Sequence, residues 1–411
     1  MSTGTRDVHS HGELITMPIR TAQRVAQVKP SATIAMSMKA AELKAQGRDI
    51  LSLSMGEPDF ETPDHIQQAA IEAIRDGQTR YTAVDGTPAL KDAIIEKFER
   101  DNGLDYERDQ ILVSTGAKQS IYNLLQAMID PGDEVLIPAP YWVSYPDMVR
   151  LAGGAPVTLH TTMDCDFKIT PAQLNSAITE QTRLLILNSP GNPTGRAYSR
   201  AELEALGEVL QEHPKVVVVS DDIYEHIWWA DEPFSTLAQV CPSLAPRTVV
   251  INGVSKAYAM TGWRIGYAAG EAELIKQMRK IQGQSTSNPC SISQAAAVAA
   301  LSDSQLCVET MCAEFRKRHD WLVPALNELP GLACSAGEGA FYVFIDASEA
   351  IESMGLDGDG AFCEHLLEKA GVALVPGSAF GAPGHVRISF ACSLDTLKDA
   401  VSRIGDALPA G

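Results

Sequence analysis

Two cations, Lys256 and Arg264, lie eight positions apart in VSKAYAMTGWRIGYAAG, a stretch of mostly small and apolar residues. A buried lysine ammonium is costly unless it is paired, neutralised or bonded covalently to another group. A solvated surface loop explains the same residue types, because most lysines are exposed. Other polar residues of the chain must therefore decide between a surface loop and a reactive site.

A parallel β-sheet would bring polar residues of several segments together. The middle of the chain repeats a short Val-, Ile- and Leu-rich run, then polar residues, then a helical stretch. Apolar runs without alternation are typical of strands buried on both faces, and their succession with helices predicts an α/β fold. Ligands bind beyond the carboxyl ends of such strands. The residues that follow the runs are Ser114 to Lys118, Tyr141 and Trp142, Asn188 to Asn192, Ser220 to Asp222, and Asn252 to Lys256.

The turn STGAKQS opens a helix directly after a predicted strand. The backbone amides of Gly116, Ala117 and Lys118 would point beyond the helix N-terminus, where anions bind. A tight turn without a ligand fits the same sequence. Neither the P-loop spacing nor G-x-G-x-x-G occurs, which argues against a nucleotide binder that uses these motifs.

One type of ligand would use all of the remaining groups. A phosphorylated aromatic cation would stack on Trp142, pair its ring nitrogen with Asp221, and bind its phosphate at the helix N-terminus and Arg264. An aldehyde on the same ligand would bond covalently to Lys256 as a Schiff base. Pyridoxal 5'-phosphate has all of these groups.

Composition argues against several other functions. The 411 residues are 45% hydrophobic and 21% charged, as in globular proteins, and the net charge of −19 disfavours nucleic acids and anionic membranes. No secretory signal or membrane-spanning run is visible, and the eight cysteines include no C-x-x-C pair. We therefore expect a cytoplasmic enzyme with reduced thiols, no metal site, no nucleic-acid partner and no membrane partner.

The length favours a large domain with a smaller one. After GQSTSNP the sequence changes to long helices with few strands. We expect an N-terminal tail or arm at 1–27 and a large cofactor-binding domain at 62–290. The small domain would comprise 28–61 and 291–411, and so would be formed from both ends of the chain.

The sequence resembles the fold-type I, class I pyridoxal-phosphate aminotransferases, and among them the bacterial aspartate aminotransferases of the Iβ subgroup. The resemblance extends from about Val28 to the C-terminus. The resemblance implies a mostly parallel seven-stranded sheet in the large domain, beside a smaller α/β domain. The motifs that carry it, specific in this order and spacing, are KPSAT, GEPDF, YWVSYPDMV, NSPGNPTG, SDDIYEH, SKAYAMTGWRIGYA and GHVRISFA.

The resemblance implies roles for the candidate cofactor residues. Lys256 matches the Schiff-base lysine, which later carries a proton, and Asp221 matches the residue that keeps the pyridine nitrogen protonated. Tyr224 and Asn192 match donors to the phenolic oxygen, and Trp142 matches the stacking residue. The phosphate is implied to bind Gly116, Ala117, Lys118, Ser255 and Arg264, together with Tyr81 of a neighbouring subunit. This implies a homodimer with shared active sites.

The resemblance also implies substrate contacts. Arg387 in GHVRISFA matches the arginine that binds the α-carboxylate, which suits its planar fork. Gly56 would let the backbone approach that carboxylate, and Lys118 is implied to contact the far carboxylate of an acidic substrate. The other implied contacts are Trp142, Asn192, Lys29, Ser31 and Thr33.

The expected reaction converts L-aspartate and 2-oxoglutarate to oxaloacetate and L-glutamate by a ping-pong route. Prephenate is an alternative or second substrate, because Lys29, Thr33 and Lys118 are compatible with this dicarboxylate too. An alternative of another class is a pyridoxal-phosphate-binding module without catalysis, as in transcription regulators with an aminotransferase-like domain. Such regulators carry a basic DNA-binding segment, which we do not expect in this acidic chain.

Overall fold

The computed structural model describes residues 19–28, 30 and 32–409. The helices are α1 Gln23–Ala26, α2 Ala32–Ala45, α3 Asp64–Arg75, α4 Pro88–Asn102, α5 Ala117–Met128, α6 Tyr145–Ala152, α7 Pro171–Ala177, α8 Arg200–Gln211, α9 Leu237–Val240, α10 Ala272–Gly283, α11 Ser291–Ser302, α12 Leu306–Asn327, α13 Ser348–Ser353, α14 Gly358–Lys369 and α15 Leu394–Ala407. The strands are β1 Leu51–Ser52, β2 Ile111–Ser114, β3 Glu134–Ala139, β4 Ala155–His160, β5 Thr182–Asn188, β6 Val217–Asp221, β7 Thr248–Gly253, β8 Gly266–Ala269, β9 Ala333–Cys334, β10 Tyr342–Asp346, β11 Val372–Ala373, β12 Val375–Pro376 and β13 His385–Ser389.

The central sheet has seven strands in the order β2-β8-β7-β6-β5-β3-β4. All pairs from β4 to β7 are parallel, whereas β8 runs antiparallel to both of its neighbours. Strands β2 and β7 are buried at every position, which explains their uninterrupted apolar runs. The predicted α/β fold with a mostly parallel seven-stranded sheet is confirmed.

Helices cover both faces of this sheet, so alternate residues of one strand enter different cores. Ile111 and Val113 of β2 pack in a cluster with residues of α3, α4 and α11. Leu112, between them, packs with Leu124 of α5 and Met278 of α10. Each fully buried side chain of this kind contributes about 1.5–3 kcal/mol. The two cores hold the sheet, and hence the ends of its strands, in a fixed arrangement.

Two smaller sheets lie beside the central sheet, and one of them joins strands from both ends of the chain. Leu51 of β1 pairs in parallel with Val372 of β11, while β9, β10, β12 and β13 form an antiparallel sheet. Helix α11, by contrast, packs against α3 and α4 of the large sheet, and its Ala296 lies in the same cluster as Ile94. We therefore propose that the small domain resumes after Ser302 and not at residue 291. The other domain boundaries stay predictions, and most of the predicted arm at 1–27 lies outside the described residues.

No helix in the described ranges combines the length and the apolar character needed to cross a membrane. All eight cysteines are free thiols.

Candidate active site

A cavity of about 320 Å³ opens at the carboxyl-terminal ends of β2, β3, β5, β6 and β7. The loops after these strands carry polar side chains to it, as expected for a parallel sheet. Segments far apart in the sequence therefore converge on one site. The sequence-predicted residues that line it are Thr33, Gly56, Ala117, Lys118, Trp142, Asn192, Asp221, Tyr224, Ser255, Lys256, Arg264 and Arg387.

Lys256 reaches this cavity from the loop after β7. Its Nζ donates to the backbone oxygen of Gly56 at 2.5 Å and lies 5.9 Å from the ring centroids of Tyr224 and Phe341. Burial lowers the pKa of Lys256 to about 8; nearby arginines also lower it, whereas two carboxylates oppose the shift. The surface-loop interpretation of Lys256 is therefore wrong, because the amine lies in a cavity where it is partly neutral near pH 8.

Asp221 is the last residue of β6 and is buried. Its Oδ2 accepts the Tyr145 hydroxyl at 2.5 Å, and its Oδ1 accepts the Ile223 N–H at 3.4 Å. Burial raises the pKa of Asp221 to about 6, and these hydrogen bonds limit the rise. The adjacent Asp222 is not part of the cavity lining, and the Ser220 hydroxyl donates to its Oδ1 at 2.7 Å. Asp221 is thus the carboxylate of this pair that can meet a ligand.

An anion site forms at the N-terminus of α5. Gly116 is the N-cap residue with φ 83°, and no side chain caps this helix end. A Cβ on Gly116 would collide with the Arg264 guanidinium, so the glycine leaves room for that cation. Arg264 is exposed but borders the cavity, and its Nη1 donates to the backbone oxygen of Thr261 at 2.8 Å. The Gly116 N–H donates to the backbone oxygen of Ser114 at 2.8 Å, so its predicted use as a phosphate donor is not supported. The amides of Ala117 and Lys118, the helix dipole and a guanidinium together suit a phosphate, with Ser255 also in the lining.

Arg387 of β13 is a buried cation, with 2% of its surface exposed. Its Nη1 donates to Oδ1 of Asn192 at 3.0 Å and its Nη2 to the backbone oxygen of Ser54 at 2.6 Å. In the described part of the chain its buried Nε has no hydrogen-bond partner. Arg387 lines the cavity, where a guanidinium can bind an anionic ligand. Because Arg387 occupies the Asn192 oxygen, the amide nitrogen is the Asn192 group that can donate to a ligand.

Lys118 and Trp142 form another part of the cavity wall, where a cation lies over an aromatic ring. The Lys118 Nζ lies 4.8 Å from the Trp142 ring centroid. Burial and the charge of Arg264 lower the pKa of Lys118. Trp142 in turn meets Tyr145 edge to face, with centroids 5.3 Å apart. Tyr145 therefore contacts both the predicted stacking residue and the predicted partner of a ring nitrogen.

Among the residues that line the cavity but were not predicted from the sequence, three carry titratable side chains: Tyr145, Tyr342 and Glu57. Tyr145 belongs to the motif YWVSYPDMV, which is a signal that could have identified it. Glu57 follows Gly56 in GEPDF and accepts the Thr261 hydroxyl at 2.7 Å. Tyr342 begins the apolar strand β10, where nothing in the local pattern distinguishes it from a core residue.

Four predicted residues are not among those that line the cavity. Gly116 adjoins it through Arg264, as described above. Tyr81 is 93% exposed, and its predicted contact with a neighbouring subunit stays a prediction. Lys29 and Ser31 lie outside the described residues, although Thr33 of the same segment lines the cavity.

The groups around the cavity match the parts of pyridoxal phosphate: an anion site, a buried carboxylate, an aromatic face and a weakly basic amine. A volume of about 320 Å³ is within the range of small-molecule sites. The glycine that makes room for Arg264 and the uncapped helix end would serve the phosphate. The residues present therefore fit this cofactor.

Comparisons with known proteins agree with this geometry. The model of a family described as "Aminotransferase class I and II" matches residues 48–404. An aspartate/prephenate aminotransferase of Nitrosomonas europaea is 54% identical over 95% of this chain and 100% of the relative. An aspartate aminotransferase of Geobacillus stearothermophilus is 52% identical over 94% and 98% of the two chains.

Solved structures give the same result for the fold. The aspartate aminotransferase of Rhizobium meliloti has a TM-score of 0.91 and 48% identity, and covers 95% of this chain and 100% of its own. The Thermus thermophilus aspartate aminotransferase with maleate has a TM-score of 0.89 and 44% identity, with the same coverage.

Proposed function

Because the chain belongs to the class I and II aminotransferases, we propose that it is an aspartate aminotransferase that uses pyridoxal phosphate. It transfers the amino group of L-aspartate to 2-oxoglutarate, giving oxaloacetate and L-glutamate. The observation that supports this most directly is one cavity with the Lys256 amine, the Asp221 carboxylate and an anion site.

Bound pyridoxal phosphate supplies an aldehyde that takes up the amino group and a cationic ring that draws electrons from the substrate. Asp221 would keep the ring nitrogen protonated, and burial of this carboxylate favours a strong pairing with a cation. Trp142 would cover one face of the ring. Tyr224 and the Asn192 amide would donate to the ring oxygen. The phosphate would bind the N-terminus of α5, Ser255 and Arg264.

Lys256 performs the proton transfer in this proposal. An amine with a pKa of about 8 is partly neutral at neutral pH. It can therefore accept a proton from the substrate α-carbon as a general base and donate it to another atom as a general acid. The Gly56 backbone oxygen, 2.5 Å from its Nζ, restricts where the amine can move. Arg387 would bind the substrate α-carboxylate and so orient the α-carbon toward Lys256.

The preference for a dicarboxylic substrate would come from Lys118. Its ammonium lies over Trp142 at the cavity, beside the second cation Arg264. Thr33 adds a hydroxyl from the N-terminal segment, to which Lys29 and Ser31 also belong. The Thermus thermophilus relative was solved with maleate, a dicarboxylate, which supports this class of ligand.

Prephenate is the second candidate substrate. It too carries two carboxylates, and two relatives at 54% and 56% identity are named aspartate/prephenate aminotransferase. The same Arg387 and Lys118 would bind its two carboxylates. A bifunctional enzyme is therefore part of the proposal.

We further propose a cytoplasmic homodimer with shared active sites. The exposed Tyr81 ring would reach the phosphate site of the neighbouring subunit.

A panel of amino donors and keto acceptors that includes prephenate tests the function. We expect a yellow protein whose absorbance band moves on addition of aspartate, and turnover of aspartate with 2-oxoglutarate. Lys256→Ala is expected to keep part of its cofactor affinity and to lose transamination. A protein that stays colourless with pyridoxal phosphate would count against an aminotransferase and also against a non-catalytic module that binds this cofactor.

A further inference from the structure

Two tyrosine hydroxyls meet in the wall of the cavity. The Tyr342 hydroxyl oxygen lies 2.8 Å from that of Tyr224, and the rings pack edge to face with centroids 5.7 Å apart. Both side chains are buried. Two hydroxyls at this distance share one hydrogen bond, in which one donates and the other accepts.

The direction of this bond decides what Tyr224 can offer a ligand. If Tyr224 donates to Tyr342, its only proton is used within the wall. If Tyr342 donates to Tyr224, the Tyr224 proton remains available for an oxygen in the cavity. The role of Tyr224 as a donor to the cofactor requires the second arrangement.

Arg387 favours the second arrangement. Its guanidinium carbon lies 4.6 Å from the Tyr342 ring centroid. The antiparallel register pairs Arg387 of β13 with Phe344 of β10, so Tyr342 is its diagonal neighbour on the sheet. Burial raises the pKa of both tyrosines, and Arg387 opposes both rises. The pKa of Tyr224 is raised further by Tyr342 and lies well above its ordinary value. A cation over its ring makes Tyr342 the better donor of the two.

The surroundings hold the Tyr342 hydroxyl in place. A Cβ on Gly56 would lie only 2.9 Å from this oxygen, so the backbone of the GEPDF loop packs directly against it. Three other titratable groups lie near the two tyrosines: Asp221 of β6, Tyr145 of α6 and Lys256, whose Nζ is 5.9 Å from the Tyr224 ring centroid. Glu57 of the GEPDF loop and Arg264 of the loop after β7 act in turn on Lys256.

We propose that Tyr342 is a positioning residue: its hydroxyl donates to Tyr224 and so directs the Tyr224 proton toward the ring oxygen of the cofactor. This inference rests on the proposed function, which supplies that oxygen. Arg387 thereby influences the cofactor through two routes, Asn192 and the pair of tyrosines.

The test is a pH titration of the visible absorbance of the protein loaded with pyridoxal phosphate. A hydrogen-bond donor to the ring oxygen of the cofactor stabilises negative charge on that oxygen. It therefore favours the deprotonated form of the cofactor whose absorbance is followed. Loss of the Tyr342 donor weakens donation from Tyr224, so we expect Tyr342→Phe to raise the titration midpoint by about 0.5–1 pH unit. Tyr342→Leu, which also removes the ring, is the second variant and is expected to raise it as well.

Tyr198→Phe is the matched control. Tyr198 is buried outside the cavity lining, and its hydroxyl accepts the Ile169 N–H at 3.0 Å. We expect this variant to titrate as the wild type does. A midpoint that stays unchanged or falls in the Tyr342 variants overturns the proposal, and a fall shows that Tyr224 donates to Tyr342. A wild-type protein without a titrating band refutes the proposed function instead.

Discussion

At the scale of single residues, the site depends on charged groups held away from bulk water. Lys256 has its pKa lowered to about 8 and Asp221 has its pKa raised to about 6, with burial as the largest cause of both shifts. Each shift favours the neutral form of the group, because burial disfavours its charge. The buried charges lower the stability of the cofactor-free protein, but they leave both groups ready to interact with a bound ligand.

The cost at Lys256 gives a stability prediction for the cofactor-free protein. The folded-state pKa of about 8 lies below the ordinary 10.5, so the unfolded chain binds more protons between these values and stability rises with pH there. We expect Lys256→Met to be more stable than wild type at pH 7 by roughly 2–4 kcal/mol, with a difference that shrinks between pH 8 and 10.5. Urea unfolding at several pH values measures it.

Lys280→Met, at an exposed position of α10, is the control for this experiment and should show no such pH-dependent gain. A constant difference between wild type and Lys256→Met across this pH range contradicts the prediction.

Lys118 gives a specificity prediction. Removing its ammonium takes a charged partner from the far carboxylate, so Lys118→Ala should lower kcat/KM for aspartate about 10- to 100-fold. Turnover of alanine and phenylalanine should change much less, since neither has a second carboxylate. Steady-state kinetics with the three amino donors measure kcat/KM, and Lys280→Ala is the control. An equal loss of kcat/KM for all three donors would contradict the proposed contact of Lys118 with the far carboxylate.

At the scale of elements, the strand ends and the N-terminus of α5 position these residues. Gly266 of β8 packs so closely on the start of α5 that a Cβ there would collide with the Ala117 backbone nitrogen. The helix end is thus held against the sheet by close backbone contact, and the Arg264 guanidinium lies beside Gly116 at this end. A small displacement of either group would disturb the anion site.

Gly116→Ala tests this arrangement. The new Cβ would displace the Arg264 guanidinium, and φ 83° disfavours any other residue. We expect the dissociation constant of pyridoxal phosphate to rise about 10-fold or more, as for the loss of one charged hydrogen bond. The constant is measured by titrating the apoprotein and following its absorbance.

Gly103→Ala is the matched variant for this experiment. Gly103 follows α4 with φ 62° and nothing within 4 Å of its Cβ position. It should lose about 1 kcal/mol of stability and keep its cofactor affinity. Equal affinities of the two variants would show that Gly116 makes no special contribution to the phosphate site.

At the scale of the whole molecule, the proposed dimer gives a further prediction. Tyr81 is exposed on the single chain, and its role requires a second subunit. If each site takes Lys256 from one subunit and Tyr81 from the other, a hybrid of Lys256→Ala and Tyr81→Phe subunits contains one intact site. Co-refolding equal amounts should then restore about a quarter of the wild-type sites, because half of the dimers are hybrids.

If the mixture instead shows only the mean of the activities of the two separate variants, each active site is formed by one chain. Mixing wild type with Lys256→Ala serves as the control, since there only wild-type subunits contribute sites.

The sequence alone determined the fold class and predicted most of the polar residues that line the cavity. Uninterrupted apolar runs such as β7 indicated strands buried on both faces, and the rule that ligands bind at the carboxyl ends of such strands pointed to Asp221 and Lys256. Both inferences use short-range patterns, which the chain carries without reference to its tertiary contacts. Motif resemblance then implied roles for these residues, including that of Arg387, and these roles stay predictions.

Only the tertiary structure decided which groups touch. The hydrogen bond from Tyr145 to Asp221, the contact of Tyr342 with Tyr224, and the packing of α11 with the large sheet all join residues far apart in the chain. Such contacts depend on how strands and helices are placed in space, so no local pattern records them. The pKa shifts of Lys256 and Asp221 belong to the same class, because burial arises only when the surrounding elements have packed.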